Sequence, residues 1–298
     1  MFETRITEML GIKYPIIGGT MMSISDADFT AAISSAGGMG TLASIIYQTK
    51  DEFAAAIDRI RQLTDKPFSV NLNFFPAQFP VSQIEYTEVM IDKGAKIVET
   101  SGHTAPPEEL CRRFKETGMI WIHKCIGLRY ALKAQRLGAD IVTVVGYEMG
   151  GATGKFDLVT IVVVPTIAKG VNFPVIGGGG VVDGRGFLAV LSLGAEAVII
   201  GTRLLATKEG PIHDRLKQAL LNATELDTMI IMKTIAAHRV WINAAATRCA
   251  EAEATDAGFE ELIKIASGDS ARKVYFEGDL DAGIVPCGQG IGQVHDIP

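Results

Sequence analysis

"PVIGGGGVVDGRGFLAVLSLGAEAVIIGTRLLAT", Pro174 to Thr207, decides the fold of this 298-residue chain. An apolar run from Phe173 to Gly177 passes into Gly178, Gly179 and Gly180, and an amphipathic segment follows. A second apolar run, Ala197 to Ile200, then ends in Gly201 and Thr202. Runs this apolar are expected where both faces of a strand are covered, as in a parallel sheet, and the intervening segment is long enough for a crossover helix.

The same rhythm extends towards the N-terminus. Further strands are predicted near Pro15 to Gly18, Gly40 to Ala43, Phe68 to Leu72, Ala95 to Thr100, Met119 to Lys124 and Asp140 to Val145. Helical patterns fill the gaps. "SDADFTAAISSAGG" starts with Ser25 as the expected N-cap and ends at Gly37, and "TKDEFAAAIDRIRQLTDKP" has acidic residues in its first turn and Arg61 near its end. Eight such units predict an α/β fold, a (β/α)8 TIM barrel. Two shorter doubly wound domains are the competing arrangement. From about Pro211 the alternation stops and only helical periodicity is read. The expected organisation is therefore a barrel over residues 1–210, a small helical domain on the substrate side over 211–282, and a glycine-rich segment, 283–298, that returns to the barrel.

Composition narrows the function classes. The chain is 48% hydrophobic with a net charge of -6, which predicts a soluble globular protein. There is no Lys/Arg cluster to neutralise a phosphate backbone, so no nucleic-acid partner is expected. "MFETRITEMLGIKYP" lacks the apolar centre of a signal peptide, and no stretch reaches the roughly 18 apolar residues of a membrane span, so the expected location is cytoplasmic. Cys111, Cys125, Cys249 and Cys287 form no C-x-x-C pair, which argues against structural zinc and a disulfide framework and for free thiols.

In a barrel, ligands meet the loops that follow the strands, and phosphate is often held after the last two. Gly178, Gly179 and Gly180 have no side chains to block a close ligand, and Gly201 and Thr202 repeat the arrangement after the next strand. Neither turn has the spacing of a P-loop or of a dinucleotide fingerprint. The phosphate of a flavin mononucleotide, a sugar or a nucleotide remains.

"YPIIGGTMMSISDADFTAAISSAGGMGTLAS" (from Tyr14), "FSVNLNFF" (from Phe68), "GYEMGGATG" (from Gly146), "PVIGGGGVVDGRG", "IIGTRLLATKE" and "CGQGIG" (from Cys287) occur in an order that resembles the nitronate monooxygenase family, itself similar to the FMN-dependent enoyl-carrier-protein reductases. The resemblance implies FMN as cofactor. It puts Gly19, Thr20 and Met21 under the flavin ring, with Thr20 departing from the family's usual Ala-Pro-Met triplet, and Asn71 at the ring's polar edge. Gly150 and Gly151 would lie beside the ribityl phosphate, Gly179, Gly180, Gly201 and Thr202 would hold the phosphate, and Gln289 would stand near the flavin.

One element of the family pattern is missing. The loop usually reads G-x-E-A-G-G-H-x-G, and its histidine serves as base towards the substrate. Here that position is Ala152, which cannot take a proton. Candidate substitutes are His103, in the loop after the fourth predicted strand, and Lys124, at the end of the fifth, which could stabilise negative charge on the flavin or the substrate. By strand alternation His123 then packs behind Lys124. Tyr147 and Glu148 flank the same loop as Ala152. His213, His238 and His295 are expected to be structural or solvated. The leading expectation is an FMN oxidoreductase acting on a small nitronate or related activated substrate. An NAD(P)H-dependent reductase of an unsaturated thioester is the alternative, and a flavin-free phosphate-binding isomerase or synthase is the third reading.

Overall fold

The computed structural model describes residues 2–74, 82–102, 105–154, 156–234, 236–255, 258–266 and 269–298. The strands are β1 (Ile16–Gly18), β2 (Gly40–Ala43), β3 (Phe68–Asn73), β4 (Ile97–Ser101), β5 (Ile120–Cys125), β6 (Ile141–Val145), β7 (Gly151–Ala152), β8 (Val175–Gly178), β9 (Ala197–Ile200), β10 (Thr228–Ile231) and β11 (His238–Trp241). Eight of them form one sheet in the order β1-β9-β8-β6-β5-β4-β3-β2. A parallel bridge between Ile17 and Met39 joins its two edges, so the sheet nearly closes on itself, with helices between the strands. This is the (β/α)8 barrel expected from the sequence. The doubly wound alternative is excluded.

The chain divides into two compact units, Met1–Val144 with Val163–Gly177 and Val190–Ile199, and Val145–Val162 with Gly178–Ala189 and Ile200–Pro298. In the first unit every residue of β3 is buried, as a strand covered on both faces requires. Helix Lys50–Leu63 shows how the covering layer is specified. Thr49 accepts from the Glu52 amide while the Glu52 side chain accepts from the Thr49 amide, a reciprocal cap. Phe53, Ala56, Ile57 and Ile60 then face inward at helical spacing. Phe53 and Tyr86 stack with centroids 4.6 Å apart, and they share an apolar core with Phe114 and Trp121. The cap of helix Ala27–Ser35 differs from expectation. Asp26, not Ser25, accepts from the Phe29 amide, and the Ser25 hydroxyl instead accepts from the Met21 amide.

The second unit also departs from the sequence reading. The region expected to be purely helical carries β10 and β11, which pair antiparallel with each other and, through β11, with β7. Helices Asp214–Leu221 and Phe259–Ala266 fall in stretches of helical periodicity, and Ala244–Ala254 adds a third. Ile231, Val240, Ala245, Ala246, Cys249 and Leu262 are buried together as a separate core. The strands escaped notice because four residues each, "TMII" and "HRVW", are too few to establish a period of two.

Candidate active site

In the first unit, polar groups converge where the barrel strands end. Alternation along β4 sends Glu99 to one face and Thr100 to the other. Glu99 is 1% exposed, and its Oε1 accepts from Thr20 Oγ1 at 2.7 Å and from Asn71 Nδ2 at 2.8 Å. The Lys124 ammonium stands 3.5 Å from the same oxygen. Asn71 also donates to Ser101 Oγ at 3.1 Å. Thr20, Asn71 and Lys124, singled out by the sequence for separate reasons, thus share one carboxylate. Gly19 and Met21 flank Thr20, half-buried. Lys124 keeps 20% of its side chain exposed. A further orphan lies one strand over: Thr143, paired in register with Lys124, is wholly buried and its hydroxyl has no hydrogen-bond partner among the described residues.

The opposite face of the same strands holds His123. Its Nδ1 lies 2.8 Å from Thr100 Oγ1, its ring meets Trp121 edge-on, and burial pushes its pKa down to about 4. It packs behind Lys124 as a neutral side chain, in keeping with alternation. His103 lies outside the described residues.

The second unit gathers the glycines. Gly178 O accepts from the Gly146 amide at 2.9 Å, and Thr160 Oγ1 lies 3.1 Å from the carbonyls of both Gly178 and Gly179. Gly179 and Gly180 have φ of 108° and 72°, a left-handed backbone that glycine adopts without strain. A Cβ on Gly179 would meet Thr160 Oγ1 at 2.6 Å, whereas one on Gly201 would meet nothing within 4 Å. Thr202 Oγ1 accepts from the Gly288 amide at 2.9 Å. The Gln289 amide donates to Glu148 O at 2.9 Å. Gly150 packs so closely on Cys287 that a Cβ would lie 2.7 Å from its backbone, and Gly151 enters β7 opposite Arg239.

Two features of this unit were not anticipated. The Glu148 carboxylate accepts from the Thr160 amide and hydroxyl at 3.0–3.2 Å, which ties the loop after β6 to the chain that follows. Arg239 is 4% exposed. Its Nε donates to Tyr147 O at 3.2 Å, and its guanidinium lies 4.8 Å from the centre of the Tyr147 ring. Burial lowers its pKa, opposed by Tyr147 and the carboxylates of Glu148 and Asp157. Neither feature has a local sequence signature beyond a charge among apolar or glycine residues.

The hydrogen bonds of the described residues leave the amides of Gly179, Gly180, Gly201 and Thr202 without a protein acceptor. Orphan amides at turns are the usual means of holding an anion. The four described cysteines are buried free thiols, and burial pushes Cys125 and Cys287 up to about 12, which removes them as thiolate nucleophiles. Among the described residues no group of three or more His, Cys, Asp or Glu is arranged to hold a metal, and no helix is long and apolar enough to cross a membrane.

Many activities use this barrel, and the class comes from the comparison: residues 3–298 match the family model for nitronate monooxygenase, an oxidoreductase. The chain belongs to the nitronate monooxygenase family. It is 31% identical to a probable nitronate monooxygenase of Staphylococcus aureus over 76% of this chain and 75% of that protein. It is 36% identical to (3aS,4S,5R,7aS)-5-hydroxy-7a-methyl-1-oxo-octahydro-1H-indene-4-carboxyl-CoA dehydrogenase of Mycobacterium tuberculosis over 74% of this chain, a match that spans 61% of that protein. The structure of FabK from Thermotoga maritima superimposes with a TM-score of 0.89 at 33% identity, covering all of this chain and 92% of that one.

Proposed function

We propose that this oxidoreductase binds FMN and oxidises a small nitronate or a related activated anion. The observation that carries the reading is the set of orphan amides at Gly179, Gly180, Gly201 and Thr202, a donor set that fits a phosphate. The open space beside Gly201 leaves room for one. In this reading Gly150, Gly151, Gly178 and Gln289 shape the second unit's surface around the phosphate end. In the first unit Gly19, Thr20, Met21 and Asn71 meet the ring, and the spare Thr143 hydroxyl is consistent with a buried polar ligand edge. Lys124, charge-balanced by Glu99 yet partly exposed, attracts the substrate anion. The flavin, when bound, supplies the redox chemistry while the protein provides orientation and electrostatics.

A second reading has specific support. The 33% identity to FabK runs along the whole chain, and a CoA thioester dehydrogenase is among the relatives. The dehydrogenase's name favours a CoA thioester as substrate, and in this reading NAD(P)H is the reductant of an unsaturated thioester.

Purified protein should carry flavin absorbance. Under anaerobic conditions, bleaching by a nitronate alone supports the first reading, and bleaching by NADH or NADPH supports the second. The phosphate assignment is tested by Gly180→Asp against Gly180→Asn. Both residues tolerate φ of 72° better than most, so the pair differs mainly in charge. Asp should weaken FMN on the order of 2 kcal/mol more than Asn, about thirtyfold. Equal retention of flavin by the two variants would place the phosphate elsewhere.

A further inference from the structure

The turn that presents the Gly179 and Gly180 amides also has carbonyls, and the partners of those carbonyls decide where the amides point. In a planar trans peptide the C=O and the N–H face opposite ways. Whatever holds Gly178 O therefore aims the Gly179 N–H, and whatever holds Gly179 O aims the Gly180 N–H. Gly178 O accepts from the Gly146 amide at 2.9 Å. Gly179 O has one hydrogen-bond partner among the described residues, Thr160 Oγ1 at 3.1 Å.

Thr160 is 7% exposed and opens helix Thr160–Gly170. Its hydroxyl has a single proton and three acceptors in reach: Glu148 Oε2 at 3.0 Å and the carbonyls of Gly178 and Gly179 at 3.1 Å. Two of the three have another donor. The Thr160 amide serves the Glu148 carboxylate at 3.1–3.2 Å, and the Gly146 amide serves Gly178 O. Gly179 O depends on the hydroxyl alone. The hydroxyl is also walled in by backbone, since a Cβ on either Gly146 or Gly179 would collide with it. Branching at Cβ further restricts its rotamers. Gly146, Glu148, Thr160 and the turn all belong to the second unit.

We propose that Thr160 is a positioning residue for the phosphate: its hydroxyl pins Gly179 O and thereby aims the Gly180 amide, while Glu148 fixes the Thr160 backbone. The proposal rests on the FMN phosphate reading above. Thr160 itself touches no phosphate oxygen; it acts through the peptide between Gly179 and Gly180.

The test is competition between FMN and riboflavin, which share the ring and the ribityl chain and differ in the phosphate. Holoenzyme is equilibrated with an excess of both flavins, and the ratio bound is read after free flavin is removed. Wild type should prefer FMN by about a hundredfold or more. Thr160→Val keeps the branched shape without the hydroxyl, and it should cut that preference by about tenfold to a hundredfold. Its affinity for riboflavin alone should change by less than about threefold. Thr160→Ser returns the hydroxyl and should recover most of the preference. A Thr160→Val protein that keeps the wild-type preference, or that loses both flavins by the same factor, overturns the proposal and leaves the phosphate reading standing. So does a Thr160→Ser protein that behaves like Thr160→Val. Thr160→Ala is read in the same way if Thr160→Val does not fold, and failure of both to fold assigns the hydroxyl to the fold and overturns the proposal. Wild type that takes up the two flavins alike, or holds neither, overturns the phosphate reading and this proposal with it.

Discussion

At Glu99, Thr20, Asn71 and Lys124 converge on one carboxylate oxygen. At Gly179 and Gly180, by contrast, the chain presents no side chain, and what it offers are amides with no acceptor of their own. The first unit builds its polarity from side chains on adjacent strands, and the second builds it from backbone. The two designs fail differently. A side-chain cluster is damaged by removing a partner, because the charge left behind is buried. A backbone turn is damaged by adding an atom, because the conformation that exposes the amides excludes one.

The largest effect is expected where the turn is tightest. Gly179→Ala combines φ of 108° with a Cβ 2.6 Å from Thr160 Oγ1 and 2.8 Å from the Gly146 amide nitrogen. It should cost about 4 kcal/mol in denaturant unfolding. A loss below about 1 kcal/mol would mean that the turn has slack and that the contrast with the side-chain cluster is overdrawn.

Next comes the carboxylate. Glu99→Gln keeps the shape but leaves the Lys124 ammonium without its partner, and a loss of about 3 kcal/mol is expected. Adding Lys124→Met should recover part of it. Additive losses in the double variant, measured by the same unfolding titration, would show that the two residues are not coupled.

His123 gives a pH-dependent effect in the first unit alone. Its folded pKa of about 4 lies below the ordinary histidine value, so on acidification the unfolded chain takes up the proton first. The stability held by the neutral buried ring is complete above about pH 6.5. It should fall by about 3 kcal/mol as the pH drops towards 4. His123→Gln should flatten that limb of the stability curve. An unchanged slope would assign the acid sensitivity to other groups.

The smallest effect is expected at Gly201. Its φ is -131° and an added Cβ meets nothing within 4 Å, so Gly201→Ala should change stability by less than about 1 kcal/mol. Any marked consequence should appear in flavin retention. A stability loss comparable with that of Gly179→Ala would show that Gly201, too, is held by protein packing rather than left open for a ligand.

Much of this was legible in the residues. The eight barrel strands fall where apolar runs between helical segments predicted them, because covering both faces of a parallel strand leaves a local record in composition. Glycine in two consecutive turns was equally visible. Glu99 was not, since a single acid inside "KIVETSG" reads as an anomaly until Thr20, Asn71 and Lys124 are seen to meet it. β10 and β11 were missed for a different reason: each is four residues long and is stabilised by its pairing more than by any pattern of its own.

By itself, then, the sequence determined the barrel, the glycine turns and the presence of an untitratable alanine at position 152, because periodicity, backbone permissiveness and side-chain identity are properties of neighbouring residues. Only the tertiary structure decided which carboxylate gathers the strand-end polar groups, which amides lack an acceptor, and that His238 stands opposite Ala152. Those depend on strand register and on contacts between distant segments. A register shifted by one residue would have turned Arg239 rather than His238 to the face of Ala152.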